Sequence, residues 1–387
     1  MFSGLLAIIY IAFISLGLPD AIMGSAWPLI HTELAIPVSF AGVFYMIVSG
    51  GTIISSFFSE KLIRRFGTGV VTAFSVTLTA APLLLMRFAP NFWVICLLGI
   101  PLGLGAGAVD AALNNFVALH YAARHMNWLH CFWGIGATAG PFIMSFFLAR
   151  SGGWRTGYTV IGCAQAVLVL MLIISLPAWR KIEKPAKDKK SAQKKPTSVA
   201  TLLSIKGAKP ALLSFFCYCA VEATAGLWGA SYLVIYRQLS AETAAQWVSM
   251  YYFGIAAGRF ITGFASAKFT NNQLIRIGQC TALAGAALLL LPFGAYFQLA
   301  GLMLIGLGCA PIYPAMLHET PRRFGEERSQ GIMGIQMSCA YVGSTFMPPI
   351  FGALATHIGF WFFPLYLAAL VILMLVTSER VAGLTRK

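Results

Sequence analysis

Apolar residues run along this chain in long unbroken blocks, and the polar and basic residues collect in short interruptions between them. Blocks of about 18 or more apolar residues have the length a helix needs to cross a bilayer. They are continuous rather than alternating, which argues against a membrane barrel built of strands. Twelve spans can be drawn, at 4–30, 38–60, 68–88, 92–121, 126–149, 155–177, 210–235, 242–268, 273–294, 296–319, 329–356 and 359–377. One interruption is long. Residues 180–209 begin RKIEKPAKDKKSAQKKPTS, a Lys, Pro and Ser composition that predicts a flexible linker. It separates residues 1–179 from residues 210–387, six spans on each side. The pattern predicts an all-α membrane protein of twelve transmembrane helices in two pseudo-symmetric six-helix halves.

The halves resemble each other in sequence. Tyr45, Gly51, Ser59 and Lys61 in the second span recur at a constant offset as Tyr252, Gly258, Ser266 and Lys268 in the eighth. GLGAGA from Gly103 in the fourth span is echoed by GLGCAP from Gly306 in the tenth. A parallel repeat of this kind predicts a solute site between the halves and alternating access by rocking of one against the other.

Composition agrees with a membrane protein and not with a soluble one. Hydrophobic residues make up 58% of the 387 positions and charged residues only 10%, against roughly a quarter charged in soluble domains. Mean hydropathy is +0.78. The net charge of +15 would suggest a nucleic-acid partner in a soluble chain. Here its distribution gives a better reason, and no nucleic acid is expected. With both termini placed in the cytoplasm, only Arg87, Arg150, Arg155 and Arg237 fall outside. The rest of the 27 Lys and Arg lie at inner ends and loops, with Arg259 a little inside its helix. That asymmetry predicts a multi-pass bacterial inner-membrane protein with a cytoplasmic linker. The opening MFSG lacks the basic region and cleavage site of a signal peptide, so the first helix is expected to be retained. The eight cysteines form no CxxC pair and read as small buried hydrophobes. No metal is expected, and a monomer is the expected state.

Charged and amide side chains inside the spans are the candidate chemistry. Ionisable residues in a hydrocarbon-length helix are costly, and they usually face a cavity or a partner. Asp110 lies in the fourth span with Asn114 one turn on, and no basic residue stands within a turn of it. It is expected to exchange a proton during transport; the alternative is a structural acid tied to Asn114 or His130. Asp20 follows Pro19, where a proline loosens the helix. It could bind solute hydroxyls, relay a proton or cap the break. Gly17, Asp20 and Gly24 share a face that another helix could approach closely. Glu222 in the seventh span has Tyr218 and Gly226 on its face at i−4 and i+4. Trp228 could stack on a sugar ring or fill the core. Asn114, Asn115, Asn127, His130 and Gln336 could bond hydroxyl groups or join helices. Tyr313 corresponds to Asp110 in the repeat, and Pro311 and Pro314 beside it predict a broken helix. Gly136 to Pro141 and Pro348-Pro349 read as hinge or close-packing points.

Two six-span halves, a basic central linker and repeated loops resemble the major facilitator superfamily. EKLIRRFG (Glu60 to Gly67) is similar to its G-x-x-x-D-R-x-G signature, with Glu60 at the glycine position and Arg64 at the acidic one. GRFITGFASAKF (Gly258 to Phe269) keeps the Gly-Arg pair and Gly263, and Ala267 replaces the acid. Within the superfamily, VDAALNNFV (Val109 to Val117) resembles the acid-x-A-x-N-x-F-V run of the fucose–proton symporter family. Asp20, GRFITGF and Ile312-Tyr313-Pro314 support that likeness. The resemblance implies proton coupling through Asp20 and Asp110. It also places Glu222 where that family has an amide.

The expected activity is therefore proton-coupled symport of a small polar solute, foremost a monosaccharide, by alternating access. The proton gradient would be the energy source, with no bound cofactor. The alternative is proton-antiport efflux of an amphipathic or cationic compound, which three membrane acids and 29 phenylalanines would also suit. An intramembrane enzyme is not expected, because no metal cluster, nucleophile elbow or phosphate loop occurs in the sequence.

Overall fold

The computed structural model describes residues 2–121, 123–150, 152–182 and 199–385. Residues 183–198 of the basic linker, and the side chains of Arg124 and Asn127, lie outside the described residues. The chain divides into two compact units, Met1–Asp188 with Gln238–Ser249, and Lys189–Arg237 with Met250–Lys387.

The first unit is built from α1 (Phe2–Asp20), α2 (Ile22–Glu33), α3 (Phe40–Phe66), α4 (Thr68–Leu85), α5 (Phe92–His120), α6 (Ala123–Leu148) and α7 (Gly153–Ile182). Helices α1 and α2 form one hydrocarbon-length span interrupted at Ala21, two residues after Pro19. Gly67 separates α3 from α4 at φ 84°, a conformation that side chains resist. Asn91 caps α5 by accepting from the Val94 amide at 3.1 Å. The core collects Leu5, Ile9, Phe13, Leu113, Phe116 and Trp179. Gln165 is 1% exposed and supplies polar glue. It accepts from Thr79 at 2.7 Å and donates to the Ser15 carbonyl at 2.7 Å, joining α7 to α4 and α1.

The second unit contains α8 (Val199–Leu203), α9 (Ala208–Ser231), most of α10 (Ala241–Ala265), α11 (Asn271–Leu290), α12 (Ala295–Cys309), α13 (Ile312–Phe324), α14 (Glu326–Ile358) and α15 (Phe363–Leu384). A π-helical turn, Tyr232–Tyr236, follows α9. The break expected near Pro311 is present. α12 ends at Cys309, and Pro311 is the residue from which α13 starts. Arg237, one of the four basic residues expected outside, also has a structural task. It donates to the Tyr232 hydroxyl at 2.9 Å, to the Leu291 carbonyl at 3.2 Å and to the Leu289 carbonyl, satisfying groups at the end of α11.

Ten of the twelve expected spans are long and apolar enough to cross a membrane among the described residues. The other two coincide with α10 and α14. Both are helical over ample length, 25 and 33 residues. They fall short on apolar content, because Tyr251, Tyr252 and Arg259 dilute α10 while Pro348, Pro349 and several Ser and Gly dilute α14.

The repeat is visible in the packing of small residues. A Cβ on Gly103 would overlap the Val48 carbonyl, and one on Gly306 would overlap the Tyr251 carbonyl. A Cβ on Gly51 would lie 3.0 Å from the Leu104 nitrogen, and one on Gly254 3.1 Å from the Leu307 nitrogen. A Cβ on Gly105 would lie 2.5 Å from the Ser75 carbonyl, and one on Gly308 2.5 Å from the Gly278 carbonyl. Every one of these counterparts is 203 residues apart (48 and 251, 51 and 254, 75 and 278, 103 and 306). The sequence pairing of Gly51 with Gly258 is therefore one helical turn out of register. A four-residue slip keeps the same face of the helix, so the residue pattern does not expose it.

Candidate functional site

Each unit holds its own polar cluster within hydrocarbon-length helices. In the first, Asp110 sits on α5 and is partly accessible. Asn114, one turn on, donates to Asp110 Oδ1 at 2.9 Å and to the Asp110 carbonyl at 3.0 Å. The i, i+4 spacing that put the two on one face is what makes this bond possible. Among the described residues Asp110 has no salt bridge. Asn115 is a further 100° around the helix, and its side chain is exposed away from this pair.

Asp20 stands at the end of α1, where the helix breaks, and is exposed. The indole of Trp133 on α6 donates to its Oδ2 at 2.7 Å. The two helices can come this close because of glycine. A Cβ on Gly17 would overlap the Trp133 carbonyl, and those on Gly136 and Gly140 would overlap the Ile14 and Leu18 carbonyls. The face of Gly17 and Asp20 thus receives a helix, and GATAGP is its counterpart. Sequence reasoning missed Trp133. The signal was its place one turn before the glycine that meets α1. His130 is partly buried, edge-on to Phe13 at a ring separation of 6.0 Å. The side chain of Asn127 lies outside the described residues.

In the second unit Glu222 on α9 accepts a hydrogen bond from the Tyr218 hydroxyl, its i−4 neighbour. Arg259 of α10 hydrogen-bonds the same tyrosine, and its charge acts on Glu222. Tyr251 donates to the Glu222 carbonyl at 3.0 Å. Tyr313 of α13 lies beside Tyr218 with ring centroids 5.9 Å apart, and its hydroxyl meets the Met337 sulfur at 3.5 Å. Arg259 is the main correction here. The charge count alone places it among the inner basic residues, and the structure adds a place in this cluster beside Glu222. An arginine inside a hydrocarbon-length helix is itself a signal for a partner.

Two expected solute-binding residues are committed elsewhere. Trp228 is fully buried, with its indole nitrogen donating to the Pro348 carbonyl at 2.7 Å. Its ring fits over Gly352 and packs against Phe351 and Phe360, so no face is left to stack on a sugar. Gln336 is 2% exposed and accepts from Thr320 at 3.0 Å. It lines a void of about 10 Å³ with Ser214, Arg323 and Ser378, room for a single water.

The loop that resembles the superfamily signature carries one ion pair, Glu60 to Arg64 at 2.6 Å. Both side chains are more than 70% exposed, 75% and 79%, so the pair contributes little.

Comparison with known proteins fixes the family. The family model described as Major Facilitator Superfamily matches residues 9–297 and 211–383. The chain belongs to the Major Facilitator Superfamily. It is a transporter of that superfamily and not an enzyme. Among curated relatives, "Bypass of stop codon protein 6" of Saccharomyces cerevisiae is 23% identical over 401 residues, covering 92% of this chain and 78% of the yeast protein. "Glucose/mannose transporter GlcP" of Bacillus subtilis is 23% identical over 320 residues, covering 80% and 77%. The solved nucleoside transporter NupG superposes with a TM-score of 0.77 at 11% identity, over 98% of this chain and 99% of that one. This last likeness shows a shared superfamily fold.

Proposed function

We propose that this superfamily member is a proton-coupled symporter of a small neutral polar solute, a monosaccharide, working by alternating access in a bacterial inner membrane with both termini in the cytoplasm. The observation that carries the reading is Asp110, a carboxyl group within a hydrocarbon-length helix whose bond is to an amide and not to a cation. Asn114 can serve either protonation state, because its amide group both donates and accepts. Gain of a proton from outside would favour the loaded carrier, and its loss inside would complete the cycle. Asp20, at a break in the first span and held by an indole, suits hydroxyl recognition or a second relay. The sugar reading draws on the named substrates of the Bacillus relative and on the resemblance of Val109 to Val117 to the fucose–proton symporter family.

Reconstitution into liposomes tests it. Asp110→Asn should abolish accumulation driven by a proton gradient and leave counterflow exchange of glucose intact. A variant that still concentrates glucose removes Asp110 from the coupling role. Uptake should make the external medium more alkaline. Acidification would identify antiport instead.

A further inference from the structure

The cluster around Glu222 lies outside the coupling scheme, and it has an unusual composition. One carboxylate and one guanidinium are bridged by a single tyrosine hydroxyl. Tyr218 donates its proton to Glu222 Oε2, and its oxygen accepts from Arg259. The frame is rigid. Tyr218, Tyr251 and Tyr252 are 1%, 0% and 7% exposed, and Tyr251 is bonded to the Glu222 carbonyl at 3.0 Å. Gly226, one turn after Glu222, leaves the room that the Tyr252 hydroxyl fills. Glu222, Arg259 and Tyr313, by contrast, keep accessible surface. Tyr218, Tyr251 and Tyr252 are therefore the support, and Glu222 and Arg259, with Tyr313, are what a solute can touch.

A carboxylate has about four acceptor sites and a guanidinium five donors, more than one tyrosine hydroxyl can occupy. The two opposite charges sum to zero. A neutral diol matches this pair, with one hydroxyl donating to the carboxylate and its neighbour accepting from the guanidinium. A solute with its own charge loses hydration on entry and meets a like charge beside the opposite one, with no net compensation.

The geometry points to Glu222 and Arg259, joined through Tyr218, as a charge-balanced subsite that selects adjacent hydroxyl groups of a neutral sugar against its charged derivatives. This specificity role rests on the carrier reading above. It assigns Arg259 a place at the solute and gives the acid at position 222 a fixed counter-charge.

The test uses the full-length chain in proteoliposomes, with counterflow of glucose, glucosamine and glucuronate as separate probes. Wild type should favour glucose over both charged sugars by at least about tenfold in half-saturating concentration. Glu222→Gln leaves the arginine uncompensated and should move the preference to glucuronate. Arg259→Gln should move it to glucosamine. Tyr218→Phe keeps both charges and should weaken glucose by about tenfold with the rank order unchanged. The double variant Glu222→Gln/Arg259→Gln restores neutrality and carries the test if a single variant does not fold. It must transport glucose and still reject both charged sugars. Glucose transport with a rank order indifferent to these changes overturns the subsite and leaves the carrier reading standing. No counterflow of any of the three by wild type overturns the sugar reading and the subsite together.

Discussion

Trp228→Ala separates a packing role from a binding role, and its size can be worked from the contacts. The indole is fully buried, and its ring centroid lies 6.0 Å from Phe351 and 5.9 Å from Phe360. Its outer edge presses on the α-carbon side of Gly352, where a Cβ would come within 2.9 Å of Cη2. Removing a buried tryptophan to alanine costs about 3–5 kcal/mol, because transfer and cavity terms add. The lost indole bond to the Pro348 carbonyl accounts for roughly 1 kcal/mol of that total. Trp228→Phe keeps most of the buried ring and loses the bond, so it should cost roughly 1–2 kcal/mol. The assay is equilibrium denaturation of the purified carrier in detergent, followed by tryptophan-independent far-ultraviolet circular dichroism. Glucose counterflow is then measured on the folded fraction. The expected result is a large loss of stability for alanine, a small one for phenylalanine, and an unchanged half-saturating concentration per folded molecule. Wild-type stability with a raised half-saturating concentration would refute the packing role and return Trp228 to the solute.

Four further variants probe other contacts of the fold and the site. Gly136→Ala drives a Cβ into the Ile14 carbonyl, which is backbone and cannot step aside, so it should lower stability by about 1–3 kcal/mol. Gly334→Ala, with open space around it in the third turn of α14, should be neutral or raise stability by up to about 1 kcal/mol; the two variants are compared in one thermal unfolding series. Trp133→Phe removes the donor to Asp20, which is exposed, so stability should change by less than about 1 kcal/mol while glucose counterflow weakens. Arg237→Gln gives up charged bonds to the end of α11 and should cost about 1.5–3 kcal/mol, read by denaturation, with coupling to the proton gradient intact.

Much of the fold was legible because its signals are long. A run of apolar residues needs no partner to be recognised, and the prolines at positions 19 and 311 mark the breaks in the two interrupted spans. Asp110 with Asn114 and Glu222 with Tyr218 were legible for a related reason. A bond between i and i+4 is local, so spacing alone sets it. Contacts that join distant helices were not. Trp133 meets Asp20 from 113 residues away, and Trp228 reaches Pro348 across 120. No pattern within one helix says which neighbour an indole will find. Arg259 was obscured by arithmetic, since a positive charge near a helix end serves a topology count as well as it serves a carboxylate. α10 and α14 show the same limit from the other side. Their polar residues lower the hydropathy on which span recognition depends, although both are fully helical.

The constant 203-residue spacing of the glycine contacts has a practical side. From position 48 to position 105 the paired contacts keep one offset, so adding 203 to a residue at one of these joints names its twin. Carried five residues further, the same offset sets Asp110 against Tyr313, a carboxyl against a phenol beside Tyr218. The two copies share the joints between helices and differ in the chemistry beside them. A substitution at one of these glycine joints thereby has a matched control at the corresponding joint of the other copy.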